Sequence, residues 1–115
     1  MVGNNAKIYG QAQVYGRAMI FENAKVGDEA QVYGQAIISG NAAVVYEAHV
    51  TDSAICMNNA FISGNAKVCG YACVRDNAII YDNATISHKA IVSGDAEIHG
   101  NAKIDYNVKD IEITE

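Results

Sequence analysis

The chain has 115 residues, with 13 acidic side chains against eight basic ones and a formal net charge of −5. Half of the residues are apolar, yet there is no Trp, no Pro and only two Phe, so Ala, Val and Ile supply most of that half. The length suits one domain, and the acidity argues against a general affinity for the phosphates of nucleic acid.

Residues 1–20 show neither the basic start nor the continuous apolar run of a signal peptide. No stretch approaches the roughly 18 apolar residues that a membrane span needs. A soluble, cytoplasmic protein is therefore expected. Cys56, Cys69 and Cys73 form no even-numbered set and no C-x-x-C spacing, which fits reduced thiols, with Cys56 as a small core residue.

Along the chain, alanine stands at every sixth position from Ala6 to Ala102, seventeen times without a miss. Two residues later comes Ile or Val, from Ile8 to Ile104, interrupted only by Cys56. Gly or Asp and then Asn follow, as in Gly40-Asn41, Asp76-Asn77 and Asp82-Asn83. Residues two apart point to the same side of an extended chain, and Gly, Asp and Asn tolerate the left-handed backbone of a tight turn. Each unit thus predicts a very short strand closed by a corner. A helix is excluded, because its apolar residues would recur at three and four rather than at two and six.

A second period sets the number of sides. Residues 5, 23, 41, 59 and 77 are Asn and residue 95 is Asp, all 18 apart, whereas the other two corner columns are mixed. The outward column Met19, Ile37, Ile55, Cys73 and Ile91 has the same spacing. Three hexads per coil explain both columns. The predicted fold is all-β, a parallel β-helix wound as a three-sided prism of about six 18-residue coils. The Asn column is read as a structural ladder.

The three outer faces differ. Beside the apolar column lie Met57 on the same face and, across the following corner, Phe61 and Ile79. A contiguous exposed apolar patch is rare on soluble monomers. Met19, Ile37, Ile55, Met57, Phe61, Cys73, Ile79 and Ile91 are accordingly expected to form an oligomer interface. The next polar face carries Tyr15, Tyr33, His49 and Lys67, with His88 and Lys89 near its edge. Tyr33, His49, Lys67, His88 and Lys89 are the candidates for binding an anionic or aromatic ligand, set against a plain solvated face.

Residues 1–104 form the repeat domain. Residues 105–115 leave the pattern, Val108 standing where Ala is due and Asp110 where Ile or Val is due. An open solenoid end exposes unpaired backbone groups, so this segment is expected to fold over the end as a cap, with pairing to a neighbouring chain as the alternative.

The repeat over residues 5–104 resembles the hexapeptide repeat of the left-handed parallel β-helix superfamily, in its variant with Gly-Asn-Ala corners. Left-handed winding and homotrimers with parallel prism axes are what the resemblance implies; right-handed crossovers are otherwise the rule. A dimer is the second expectation for the assembly. The superfamily includes acyltransferases that use a His beneath an inserted loop and gamma-class carbonic anhydrases that bind metal through His residues across a trimer interface. Here the six-residue register never slips, so no loop exists to cover a substrate. His49, His88 and His99 lie 39 and 11 residues apart, not multiples of 18, and so do not stack. No catalytic residue, metal ligand or cofactor is assigned.

Two functions follow from these features. The first is a non-catalytic oligomeric scaffold that presents a surface to a macromolecular partner. The second is a trimer that holds a small anionic ligand in grooves between subunits, with acyltransferase-like chemistry as its extension. The unbroken repeat favours the first.

Overall fold

The computed structural model describes residues 2–115. Its described residues form nineteen strands, most of them two residues long, arranged in three parallel sheets with no helix. Face 1 runs from Lys7–Ile8 to Glu112–Thr114, face 2 from Gln13–Val14 to Lys103–Ile104, and face 3 from Met19–Ile20 to Val108–Lys109. In each sheet a strand pairs with the one three strands on, as in Lys7↔Lys25, Lys67↔His49 and Cys73↔Ile55. One coil is therefore 18 residues, and the prism measures 33 × 21 × 19 Å.

Backbone hydrogen bonds join each coil to the next without interruption. Lys7, Tyr9 and Gln11 donate their N–H groups to the carbonyls of Ala24, Val26 and Asp28 at 3.0, 3.0 and 2.7 Å. The last of these bonds crosses a corner, so pairing continues around the turn. The alanine N–H closes the turn itself, as in Ala24 to the Phe21 carbonyl at 3.3 Å.

Every sixth residue from Asn4 to Gly100 has positive φ, between 53° and 71°. Glycine takes this conformation without strain, and at Gly40 an added Cβ would also lie 2.8 Å from the Asn58 nitrogen of the next coil. Where the corner is not glycine, a short polar side chain usually compensates. Asp52 accepts the Gly70 N–H at 2.9 Å, Asp76 that of Gly94 at 2.9 Å, and Asp82 that of Gly100 at 3.0 Å. Asn4, Glu22, Asp28 and Asn58 do the same. At the following position the expected amide ladder is present: Asn41 donates to Asn59, Asn59 to Asn77 and Asn77 to Asp95, at 3.2–3.3 Å.

The core lies along the axis. From Ala18 to Ala102 every repeat alanine, and from Ile20 to Ile104 every residue two places on, is at most 1% exposed. The column after Ile or Val is less uniformly outward than expected. Ser39, Val45, Ser63 and Ser93 are buried there, because short side chains are covered by longer ones on adjacent coils.

Residues 105–115 do not fold across the end. Val108–Lys109 extends face 3 beside Ile91–Ser93, and Glu112–Thr114 extends face 1 beside Glu97–His99. Val108 is 3% exposed and continues the core above Val92. The tail can join the sheets because it alternates apolar and polar residues like a strand. Its register is shortened: Val92 pairs with Val108 and Glu97 with Glu112. No helix among the described residues is long and apolar enough to cross a membrane.

Two outcomes are expected. Ala60→Leu forces extra volume into a closed core and should lower unfolding stability by about 1–3 kcal/mol in denaturant titration. Tyr46 occupies a left-handed corner (φ 58) with no acceptor reaching the next coil. Tyr46→Asn should raise stability by about 1 kcal/mol, because Asn tolerates this backbone and its amide oxygen can accept the Gly64 N–H. An unchanged or lower denaturation midpoint would contradict this account of the corners.

Candidate functional site

On face 3 the pairing sets Met19, Ile37, Ile55, Cys73 and Ile91 in one unbroken row, each the register partner of the next. All five are only partly buried in the single chain, as is Met57. Across the corner, Phe61 and Ile79 are paired on face 1 and are each 38% exposed. The row is straight because the backbone bonds between coils fix its spacing.

Face 2 separates the five ligand candidates. His49 and Lys67 are register partners and line a shallow groove of about 660 Å³ with Gln11, Gln13, Glu29, Gln31, Glu47 and Asn65. Tyr33, His88 and Lys89 do not line it. Tyr33 stacks on Tyr15 with ring centroids 4.9 Å apart and planes within 3°. His88 sits at a corner with φ 59, its Nδ1 3.0 Å from the Ser87 hydroxyl. The expected cation cluster is thus two separate groups, and the groove sets the Glu29 and Glu47 carboxylates alongside His49 and Lys67.

His99 is not the isolated surface residue that its position in the sequence suggests. Its ring stacks on Tyr81 at 4.7 Å with the planes within 1°. Its Nε2 donates to Glu112 Oε2 at 2.7 Å, and its Nδ1 lies 3.7 Å from Asp82 Oδ2. The Tyr81 hydroxyl donates to Glu97 Oε2 at 2.6 Å. Glu97, His99 and Glu112 bring one donor atom each to within 4.8 Å of one another. The 18-residue columns gave no sign of this, because Glu112 reaches Glu97 through a 15-residue step. The relevant signal was the alternation Ile111-Glu112-Ile113, which marks a strand outside the hexad frame.

The hydrogen bond to Glu97 holds the Tyr81 proton, and partial burial and the surrounding carboxylates of Glu97, Asp82 and Glu112 add to the effect; together they push its pKa up to about 12. Burial also raises all three thiols. Cys56, fully enclosed beside Cys73, is moved furthest. At Cys69 Asp52 adds to the rise and Lys67 opposes it, while at Cys73 Arg75 opposes it and Asp76 adds. Thiolate nucleophiles, which need a lowered pKa, are therefore not provided by these cysteines.

The molecule is a structural repeat protein, a parallel β-solenoid. Residues 12–28 and 78–94 match the family model of the YdcK beta solenoid repeat. This match and the three-sheet winding fit a left-handed β-helix repeat protein. Comparison with curated proteins and with solved structures gave no significant match.

The raised Tyr81 pKa has a checkable consequence. A phenol that holds its proton more tightly in the folded state than its ordinary value of 10.0 stabilises the fold fully below that pH. The contribution is lost as pH rises from there to about 12. In a tyrosinate absorbance titration, one of the seven tyrosines should ionise last, and Glu97→Gln should bring it back toward the others. Ionisation of Tyr81 with the rest in the parent protein would contradict the hydrogen bond's role.

Proposed function

We propose that this chain is a non-catalytic scaffold: a rigid prism that assembles with copies of itself and presents its remaining faces to a macromolecular partner. The observation that carries this reading is the apolar row on face 3. Five stacked side chains with fixed spacing form a flat, regular surface. A second copy has the same rung spacing, set by the same backbone hydrogen bonds, so the two rows stay in step along their whole length. Any other partner would have to match that spacing separately.

A homotrimer suits the distribution better than a dimer. The apolar residues spread over two adjacent faces, with Phe61 and Ile79 on face 1 beyond the corner from the row. A two-fold dimer buries the same patch on both copies, whereas a three-fold ring buries two different patches on each. Burial of each such side chain contributes at most about 1.5–3 kcal/mol, which together can offset an association cost of order 4–15 kcal/mol.

The competing reading places a small anionic ligand between subunits, against Tyr33, His49, Lys67, His88 and Lys89. The groove on face 2 holds only two of these, and Glu29 and Glu47 sit in it with them. That arrangement disfavours an anion.

Ile55→Lys puts a charge in the middle of the row and should convert the trimer to monomers, read as mass by light scattering. A parent protein that is monomeric at micromolar concentration would remove the basis for this function. A dimeric one would move the interface to face 3 alone.

A further inference from the structure

We propose that Glu97, His99 and Glu112 form a binding site for a divalent transition-metal ion of the zinc class at the C-terminal end of face 1. The donor set is mixed: one imidazole nitrogen and two carboxylates within 4.8 Å of one another. Donors around one zinc ion at its usual bond lengths of about 2.0–2.2 Å lie about 3–4 Å apart, so small side-chain rotations bring all three to it. Imidazole with carboxylates suits zinc and its neighbours, whereas calcium and magnesium favour oxygen-only sets.

The surroundings supply what such a site needs beyond its ligands. Glu112 can only accept a hydrogen bond, so His99 Nε2 carries the proton in the 2.7 Å contact between them. A metal ion takes the place of that proton. The ring then keeps its proton on Nδ1, facing Asp82 Oδ2 at 3.7 Å, the carboxylate–histidine–metal arrangement that orients metal-bound imidazoles. Tyr81 fixes the other two orientations, stacking on the imidazole and donating to Glu97.

Charge gives the second reason. Glu97 and Glu112 are direct register partners on neighbouring strands, where like charges repel. Asp82 adds a third carboxylate on the far side of the ring. A single imidazole cannot balance three acids, and a dication does. The site depends on the tail: with the 18-residue coil kept, residue 115 and not Glu112 would face Glu97. It lies away from the face 3 row and does not require the scaffold reading.

The test is calorimetric titration of the untagged full chain with zinc ion alone, and with magnesium ion alone. One zinc per chain should bind and magnesium should not compete. His99→Ala and Glu112→Gln should each weaken zinc binding by at least about 100-fold, and Asp82→Asn by about 10–100-fold. Cobalt substitution should give visible bands without thiolate charge-transfer absorption, which separates this site from Cys69 and Cys73. Glu112 is 61% exposed, so Glu112→Gln keeps the fold and decides the matter by itself if the His99 variant does not fold. Absence of zinc binding, a thiolate spectrum, or affinity unchanged in Glu112→Gln overturns the proposal.

Discussion

Everything in this molecule depends on a left-handed corner at every sixth residue, closed tightly enough that the next coil can lie against it. The turn must reverse direction without interrupting the hydrogen bonds between coils. The Gln11 N–H, just past the corner at Gly10, still reaches the Asp28 carbonyl at 2.7 Å. Only glycine, or a residue that recovers the cost of positive φ, can stand there. The Asp, Asn and Glu corners recover it by accepting the N–H of the residue one coil on. A side-chain bond thus does for the corners what the ladder does for the strands, and the prism is bonded around its whole circumference.

The same constraint explains what could be read from the residues alone. A corner every six residues leaves its composition on the sequence, so the hexad is visible in Gly40-Asn41 and Asp76-Asn77. Stacking at 18 aligns like with like, so the Asn column and the Met19 to Ile91 row are visible too. Both depend only on period. The tail was harder because Val108 and Asp110 break the hexad, and register is then set by where a short alternating segment can bury Val108 and Ile113. Its pairing to faces 3 and 1 had no periodic marker. The cluster at His99 was hidden for the same reason: its third member arrives through the irregular step. The five ligand candidates were grouped by face, but residues at the two margins of one face point into different grooves. His49 and Lys67 border one corner, and Tyr33, His88 and Lys89 the other.

A strict repeat also limits where chemistry can arise. Within the regular coils each position is a near-copy of the one 18 residues away, so a column tends to be uniformly amide, apolar or polar. Uniform columns make good ladders and good interfaces, since both gain from repetition. A binding site for one small ion or molecule needs different groups converging on a point. Stacked coils supply that only where two unlike columns meet or where the period fails.

The period fails once, between the Lys103–Ile104 and Val108–Lys109 strands, where the chain shortens its turn. The shortened coil still buries Val108 and Ile113, so the apolar contacts that hold the tail in place are kept. What changes is the outward set: acids and a histidine that would have been spread along the face are brought opposite one another. Repulsion between Glu97 and Glu112 should oppose that register if it acted alone. The His99 and Tyr81 hydrogen bonds offset part of it, each by pairing one carboxylate with a donor. The tail therefore rests on a balance between apolar burial inside and charge outside. Whatever changes the charge at that point, whether proton or metal ion, acts directly on how firmly the last coil is held.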